Sequence, residues 1–523
     1  MQMPLIVRRT TVSACYWLCQ CLVWGTSLAS GQIILDGDFD QGGLDEANSS
    51  VNGSMVMLAG RDNSIPGEWK WLYFSATNVN GLELTFQIDD EFDTGGNNLN
   101  QHEMVYSYDQ QTWEFFDNNS RDAAQNTYTF FNNTPFTQNQ VYVAYGLPYS
   151  SGRVTSHTAQ MAASPWVAPT SSGNASLVIG QSPGGIDDLG RVVAPQDMYG
   201  YKITDPSATG SKRKIGVMSG VHSNETLADF TLEGLVNFLT GDDLEAGILR
   251  KYAEFYIYPM ANPDGRYAGY NRSTVQNVSV DPNRFWESPN YGGLDDIKVV
   301  GDALLADTGA DIDYFIDLHS TVVGKTGHFG FIHPDYQADP FWLSFLQLDS
   351  EIFTNNASLI DLTGQKFGRD ELNAEFTMTF ETQFIPGENI DRFLNLGKTM
   401  GLAFEQVFQV FADLNFDGEL DVQDWVEFIG GAETDLSGMT PIEAYAMGDL
   451  DGDGINSIVD FGLFKNAYVA AHGLSGFEEL FAVPELASVL LLGSGMSVWI
   501  LTLRGFETSC FSVPDSAEDP FNA

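Results

Sequence analysis

The chain has 523 residues, more than one ordinary domain needs, and the length predicts roughly two to four. An apolar fraction of 43% and an aromatic fraction of 13% exclude a disordered chain. The 24 basic and 70 acidic residues give a net charge of -46, which excludes nucleic acid and anionic membrane surfaces as partners of the bulk protein.

Residues 1–30 read as a signal peptide. Arg8 and Arg9 form a basic start, an apolar run follows from Val12 to about Val23, and Ser27-Leu28-Ala29 has the small-x-small form of a cleavage site. The protein is therefore expected to be exported, to the periplasm, the cell surface or the medium. Three of its four cysteines, Cys15, Cys19 and Cys21, fall in this segment, and Cys510 is left alone, so no intramolecular disulfide is expected after cleavage.

Residues 31–170 carry aromatic and β-branched runs, such as Trp71-Leu72-Tyr73-Phe74, Leu82-Glu83-Leu84-Thr85-Phe86 and Val141-Tyr142-Val143, separated by Asn, Asp and Gly clusters. They predict an antiparallel β-sandwich. Over residues 171–411 the pattern changes to strands alternating with helices. Lys214–Met218, Phe255–Tyr258, Ile312–Leu318 and Glu375–Phe380 read as strands, and Thr226–Leu239, Ile297–Ala306 and Phe341–Phe353 as helices. This predicts an α/β domain with a mixed sheet. Residues 412–472 contain two similar acidic loops 36 positions apart, from Asp413 to Asp424 and from Asp449 to Asp460. Residues 483–504 hold a second apolar segment, read as a C-terminal apolar helix that gives contact with a membrane, and residues 505–523 form an acidic tail.

The polar residues of the α/β region carry the chemistry. His222 and Glu225 follow the strand ending at Met218, His319 follows Leu318, and Glu381 follows Phe380. All four sit at strand C-terminal ends, where open α/β sheets gather ligands. Two imidazoles and a carboxylate form a three-ligand zinc set that leaves a position for water. A carboxylate that does not bind metal, Glu381, suits the general base.

These residues resemble the zinc carboxypeptidases of the M14 type, in which a His-x-x-Glu pair and a later His bind zinc and a Glu after a strand is the base. Asn262-Pro263-Asp264-Gly265 looks like the turn of that family. The resemblance implies that Arg272 polarises the scissile carbonyl and that Asn283 and Arg284 hold the terminal carboxylate of a peptide or protein substrate. A guanidinium fork suits both tasks. The runs at 71–74, 105–108 and 142–150 are similar to the sandwich that precedes the catalytic domain in the cytosolic-carboxypeptidase subfamily. That subfamily favours acidic C-terminal residues, and Lys366 and Arg369, fifteen and twelve positions before Glu381, lie near its pocket segment. The family's substrate-contacting tyrosine has no counterpart between Ile360 and Phe380.

Each acidic loop places oxygen side chains and a glycine where a calcium loop needs them. The pair resembles a dockerin module, which is small and α-helical. The resemblance implies calcium ligands at Asp413, Asn415, Asp417, Asp421, Asp424, Asp449, Asp451, Asp453 and Asp460, and a cohesin-type partner. Ser457 is a less usual residue for the ninth position of its loop. Val483-Pro484-Glu485 followed by the apolar run and Arg504 resembles the PEP-type sorting signals of Gram-negative bacteria. Two other readings share these residues: an amidohydrolase of N-acyl amino acids, and a non-catalytic surface scaffold.

Overall fold

The computed structural model describes residues 31–61, 71–88, 103–321, 327–385 and 387–482. The signal peptide, the sorting segment and the acidic tail expected from the sequence lie outside the described residues. Among the described residues, no helix is long and apolar enough to cross a membrane.

Two five-stranded sheets form the N-terminal domain. The first has the order Ile34–Asp36, Tyr73–Thr77, Gln140–Ala144, Val105–Ser107 and Glu114–Phe115, antiparallel throughout. The second has the order Ser50–Asn52, Met55–Leu58, Thr85–Ile88, Thr127–Phe131 and Asn118–Asp122. Here the expectation of an antiparallel sandwich needs correcting, because Met55–Leu58 and Thr85–Ile88 pair in parallel. Phe74 of the first sheet meets Phe86 of the second at 6.0 Å between ring centroids, and Phe86 stacks on Phe130 at 5.3 Å. These buried rings form the core between the sheets. The region read as β also contains a helix, Ser151–Met161, capped by the Ser150 hydroxyl, which accepts from the Arg153 N–H.

The α/β domain is built on an eight-stranded mixed sheet. Its order is Val167–Pro169, Tyr201–Ile203, Ala253–Tyr258, Arg213–Ser219, Tyr314–Thr321, Phe376–Gln383, His328–Ile332 and Ile352–Asn356. The four central strands run parallel, and their near-continuous apolar sequences are buried between helical layers. The helix Thr226–Thr240 packs on the sheet and against Ile390–Phe408, where Gly397 approaches the Thr231 carbonyl so closely that a Cβ would lie 1.9 Å from it. The helix expected over Phe341–Phe353 stops at Leu348, and Ile352–Asn356 forms an edge strand instead. Asp339 caps the start of that helix, and the Asp349 carboxylate at its end is taken by Arg392.

The domains share polar seams. Arg153 grips Glu233 through two hydrogen bonds of 2.8 Å, and the Tyr149 hydroxyl donates to the same carboxylate at 2.8 Å. At the C-terminal side, Val422–Gly431, Pro441–Ala446 and Ile458–Glu479 form a small helical unit. Its core, with Trp425, Phe428 and Phe464, is continuous with Ile248 and Tyr252 of the helix Leu244–Tyr252.

Candidate metal centre and active site

The strand Arg213–Ser219 leaves the sheet at Gly220, whose φ is +72°. A Cβ there would lie 2.5 Å from Met260 Sδ, so the position requires glycine. The chain then delivers His222 and, at the start of the helix Thr226–Thr240, Glu225. The Asn262 amide clamps this turn. Its Nδ2 donates to the Ser223 hydroxyl at 3.1 Å and the Ser273 carbonyl at 3.0 Å, while its Oδ1 accepts from the Gly265 N–H. Beneath it, the fully buried Arg266 pairs with Asp229 at 2.6 Å, and Asp229 accepts from the Ser219 hydroxyl at 2.7 Å.

Strand pairing brings the remaining groups in. Tyr314–Thr321 lies beside Arg213–Ser219, and on its other side Phe376–Gln383 places Glu381 directly opposite His319. The ligand atoms of His222, Glu225 and His319 all lie within 4.8 Å of one another. His222 Nδ1 is 2.8 Å from Glu225 Oε1, His319 Nδ1 is 2.7 Å from Glu225 Oε2, and the two Nδ1 atoms are 3.2 Å apart. All three residues are buried. Two imidazole nitrogens and two carboxylate oxygens facing one point, sealed from solvent, fit a small dication of the zinc type.

The outer nitrogens of both imidazoles face carboxylates. His222 Nε2 is 2.9 Å from Asp281 Oδ1, and His319 Nε2 is 3.0 Å from Asp317 Oδ1. Such partners leave Nδ1 available as the ligand atom. Asp281 and Asp317 were not among the residues singled out from the sequence. For Asp317 a signal was present: it stands two positions before His319 on one strand, and so shares its face.

The electrostatics follow from this geometry. Burial pushes Glu225 up, but the His222 and His319 imidazoles outweigh it and hold the carboxyl below its usual range. Burial pushes His319 down, and the flanking Asp317 and Glu225 carboxylates raise it well above its usual value. Burial, then the Glu225 charge, push Glu381 up to about 7. Glu381 Oε2 is buried and makes no hydrogen bond.

Arg272 reaches the same place. Its guanidinium is 3.6 Å from Glu225 Oε1 and 3.6 Å from Asp281 Oδ2. Asn283 presents Nδ2 to His319 Nε2 at 3.2 Å, and its Oδ1 accepts from the Gly364 N–H at 2.8 Å. Arg284 is the most open of the three, its side chain 44% exposed, with Nη1 3.6 Å from Asp281 Oδ2. Lys366 lies on the helix Gly364–Asp370, but its ammonium is taken by the surface carboxylates of Asp370 and Asp361.

The acidic loops differ from each other. Asp449, Asp451 and Asp460 bring ligand atoms within 4.8 Å of one another. Among the described residues, Asp413, Asp417, Asp421, Asp424 and Asp453 join no such group of carboxylate, imidazole or thiol ligands. Asp424 Oδ1 accepts from the Leu414 and Asn415 N–H groups and Oδ2 from that of Asp421, and Asp460 repeats the pattern with Leu450, Asp451 and Ser457. Asp421 and Ser457 cap the helices that follow.

Comparison with known proteins agrees with this geometry. Residues 185–301 match the family described as zinc carboxypeptidase, and residues 35–145 match the cytosolic carboxypeptidase N-terminal domain. Cytosolic carboxypeptidase 6 of Mus musculus is 28% identical over 196 residues, covering 36% of this chain and 35% of that protein. Cytosolic carboxypeptidase 1 of Xenopus laevis is 40% identical over 76 residues, covering 14% of this chain and 6% of that protein. The match with the mouse and human forms of cytosolic carboxypeptidase 6 spans little more than a third of their length. Among solved structures, a metallo-carboxypeptidase from Burkholderia cenocepacia matches with a TM-score of 0.59 at 22% identity, over 72% of this chain and all of that one. A metallo-carboxypeptidase from Pseudomonas aeruginosa, solved with (2-guanidinoethylmercapto)succinic acid, matches with a TM-score of 0.56 at 19% identity, over 72% of this chain and 98% of that one. At these identities the structural likeness concerns the fold. The first family match ends before His319 and Glu381, so geometry alone brings those two residues to the site. The chain carries a zinc-carboxypeptidase domain of the M14 type behind the N-terminal domain of the cytosolic carboxypeptidases.

Proposed function

We propose that the protein is a zinc-dependent metallocarboxypeptidase that removes residues from the free C-terminus of peptides or proteins. The observation that carries this reading is the convergence of His222, Glu225 and His319, with Glu381 in register beside His319. Zinc held by those three side chains would supply Lewis acidity and lower the pKa of water. Glu381 takes the proton of the attacking water at its free Oε2 and returns it to the departing amine nitrogen. Arg272 donates to the carbonyl oxygen as negative charge builds on it. Asn283 Nδ2 and the Arg284 guanidinium receive the terminal carboxylate, for which two N–H donors at fixed spacing are suited.

The test is turnover of a peptide with a free C-terminus, its C-terminal amide and an N-acyl amino acid, each with and without chelator. Cleavage of the first alone, lost with chelator and restored by zinc, is the expected result. Cleavage of the N-acyl amino acid alone would replace the peptidase with an amidohydrolase.

Finer features belong to the same proposal. A preference for C-terminal glutamate or aspartate rests on the resemblance to the subfamily and on Arg369, whose helix starts at the Gly364 held by Asn283; Lys366, paired with Asp370 and Asp361, lends it no free charge. Faster release of leucine or lysine than of glutamate would remove it. Calcium binding rests on the cluster of Asp449, Asp451 and Asp460 and on the loop spacing. A calorimetric titration showing no heat with calcium would exclude it. Export, membrane attachment and a cohesin-type partner rest on the sequence alone, and fractionation of cells producing the full chain tests the first two. Failure of a calcium-loaded chain to bind immobilised cohesin would remove the third.

A further inference from the structure

The outer nitrogen of His319 has two polar neighbours that make opposite demands. Asp317 Oδ1, at 3.0 Å, can only accept. Asn283 Nδ2, at 3.2 Å, can only donate, because Asn283 Oδ1 already accepts from the Gly364 N–H and this fixes which end of the amide faces the ring. With Nδ1 turned to the centre, the ring proton must sit on Nε2, and an N–H facing the Asn283 amide N–H is not a hydrogen bond.

We infer that Asp317 is the positioning residue of the centre: it takes the His319 Nε2–H, commits Nδ1 to the metal, and leaves the Asn283 amide free for the substrate carboxylate. The inference rests on the zinc reading above. The surroundings of Asp317 support it. The residue is fully buried, and neither of its oxygens makes a hydrogen bond, so the 3.0 Å approach to His319 Nε2 is the polar contact that can answer its charge. Its one ion-pairing neighbour within 4 Å among the described residues is His319. A buried carboxylate is costly without a partner. The helix Gly364–Asp370 is also shaped around it, since a Cβ on Gly364 would lie 2.7 Å from Asp317 Oδ2.

The test reads metal affinity rather than turnover. Apo protein competes with a chromophoric chelator for zinc, in the parent chain, Asp317→Ala, Asp317→Asn and Asn283→Ala. Asp317→Ala should bind zinc about 10- to 100-fold more weakly, the range for lost outer partners of metal-bound histidine. Asp317→Asn, which keeps an acceptor without the charge, should fall between. Asn283→Ala, which removes the opposing donor, should bind zinc at least as tightly as the parent. Should Asp317→Ala fail to fold, the other two variants decide. Parent-like affinity in both Asp317 variants, or weaker zinc binding in Asn283→Ala, would overturn the role of Asp317. A parent chain that binds no zinc would instead overturn the metallopeptidase reading itself.

Discussion

The histidine centre and the acidic loops are built in opposite ways. His222 and His319 stand 97 positions apart and meet only because parallel strands bring their ends side by side. Each acidic loop closes within a single short stretch, 413–424 or 449–460. The loops also supply part of their own coordination. Asp424 and Asp460 are each satisfied by three backbone N–H groups. At the candidate zinc ligands the backbone gives far less: the Ser320 N–H donates to Glu225 Oε2 at 3.2 Å, and otherwise their nitrogens and oxygens face one another. A short loop that hydrogen-bonds to itself keeps its shape through the backbone. A centre drawn from distant strands holds sealed polar atoms whose needs a cation answers.

The largest effect that would sharpen this contrast is at the general base. Glu381→Gln should lower kcat by about 10²- to 10⁴-fold with full zinc content, read by steady-state kinetics and metal analysis together. Unchanged turnover would remove Glu381 from its role. Arg272→Ala should cost about 10²- to 10³-fold, mostly in kcat, as an oxyanion donor does. Arg284→Ala should raise KM by roughly 10- to 100-fold, as expected for a lost charge-assisted bond to carboxylate. A larger loss with Arg284→Ala than with Arg272→Ala would reverse those two assignments.

In the loops the effect should be one of stability. Asp460→Ala removes a capping-box carboxylate, so thermal unfolding in calcium-free buffer should show a loss of about 1 kcal/mol even without the ion. No change in chelator would mean that the loop depends on calcium as fully as the centre depends on zinc. A comparable effect lies at the seam between the two regions. Burial, then the Glu245 carboxylate, push Glu405 up to about 7. The native state thus holds this proton more tightly than the unfolded chain. Stability should therefore fall as pH rises from about 4.5 to about 7. Glu405→Gln should flatten that fall by roughly 1–2 kcal/mol, measured by denaturant titration at pH 5 and 8. An unaltered slope would show that another group sets it.

The contrast also accounts for what was legible beforehand. The central strands are apolar runs that turn polar near their C-terminal ends, so their boundaries were readable to within about three residues; His319 and Glu381, expected just past the strands, lie among their last paired positions. The edge strand Ile352–Asn356 was merged with a helix, because Phe341 to Phe353 is apolar enough for either period. The parallel pair in the second sandwich sheet left no local trace, since pairing direction depends on how the chain crosses over. Lys366 was placed by its distance from Glu381, yet its i,i+4 spacing to Asp370 already offered a surface ion pair.

The helical unit after the catalytic domain is joined to it face to face. The Tyr252 hydroxyl donates to Asp413 at 2.8 Å, and a Cβ on Gly247 would lie 2.9 Å from Ile442. A cleft on a slack leash sweeps every direction its tether allows, whereas one braced against its mount keeps a fixed aim. The bearing of the metal centre relative to this unit, as well as its distance, is therefore set by packing.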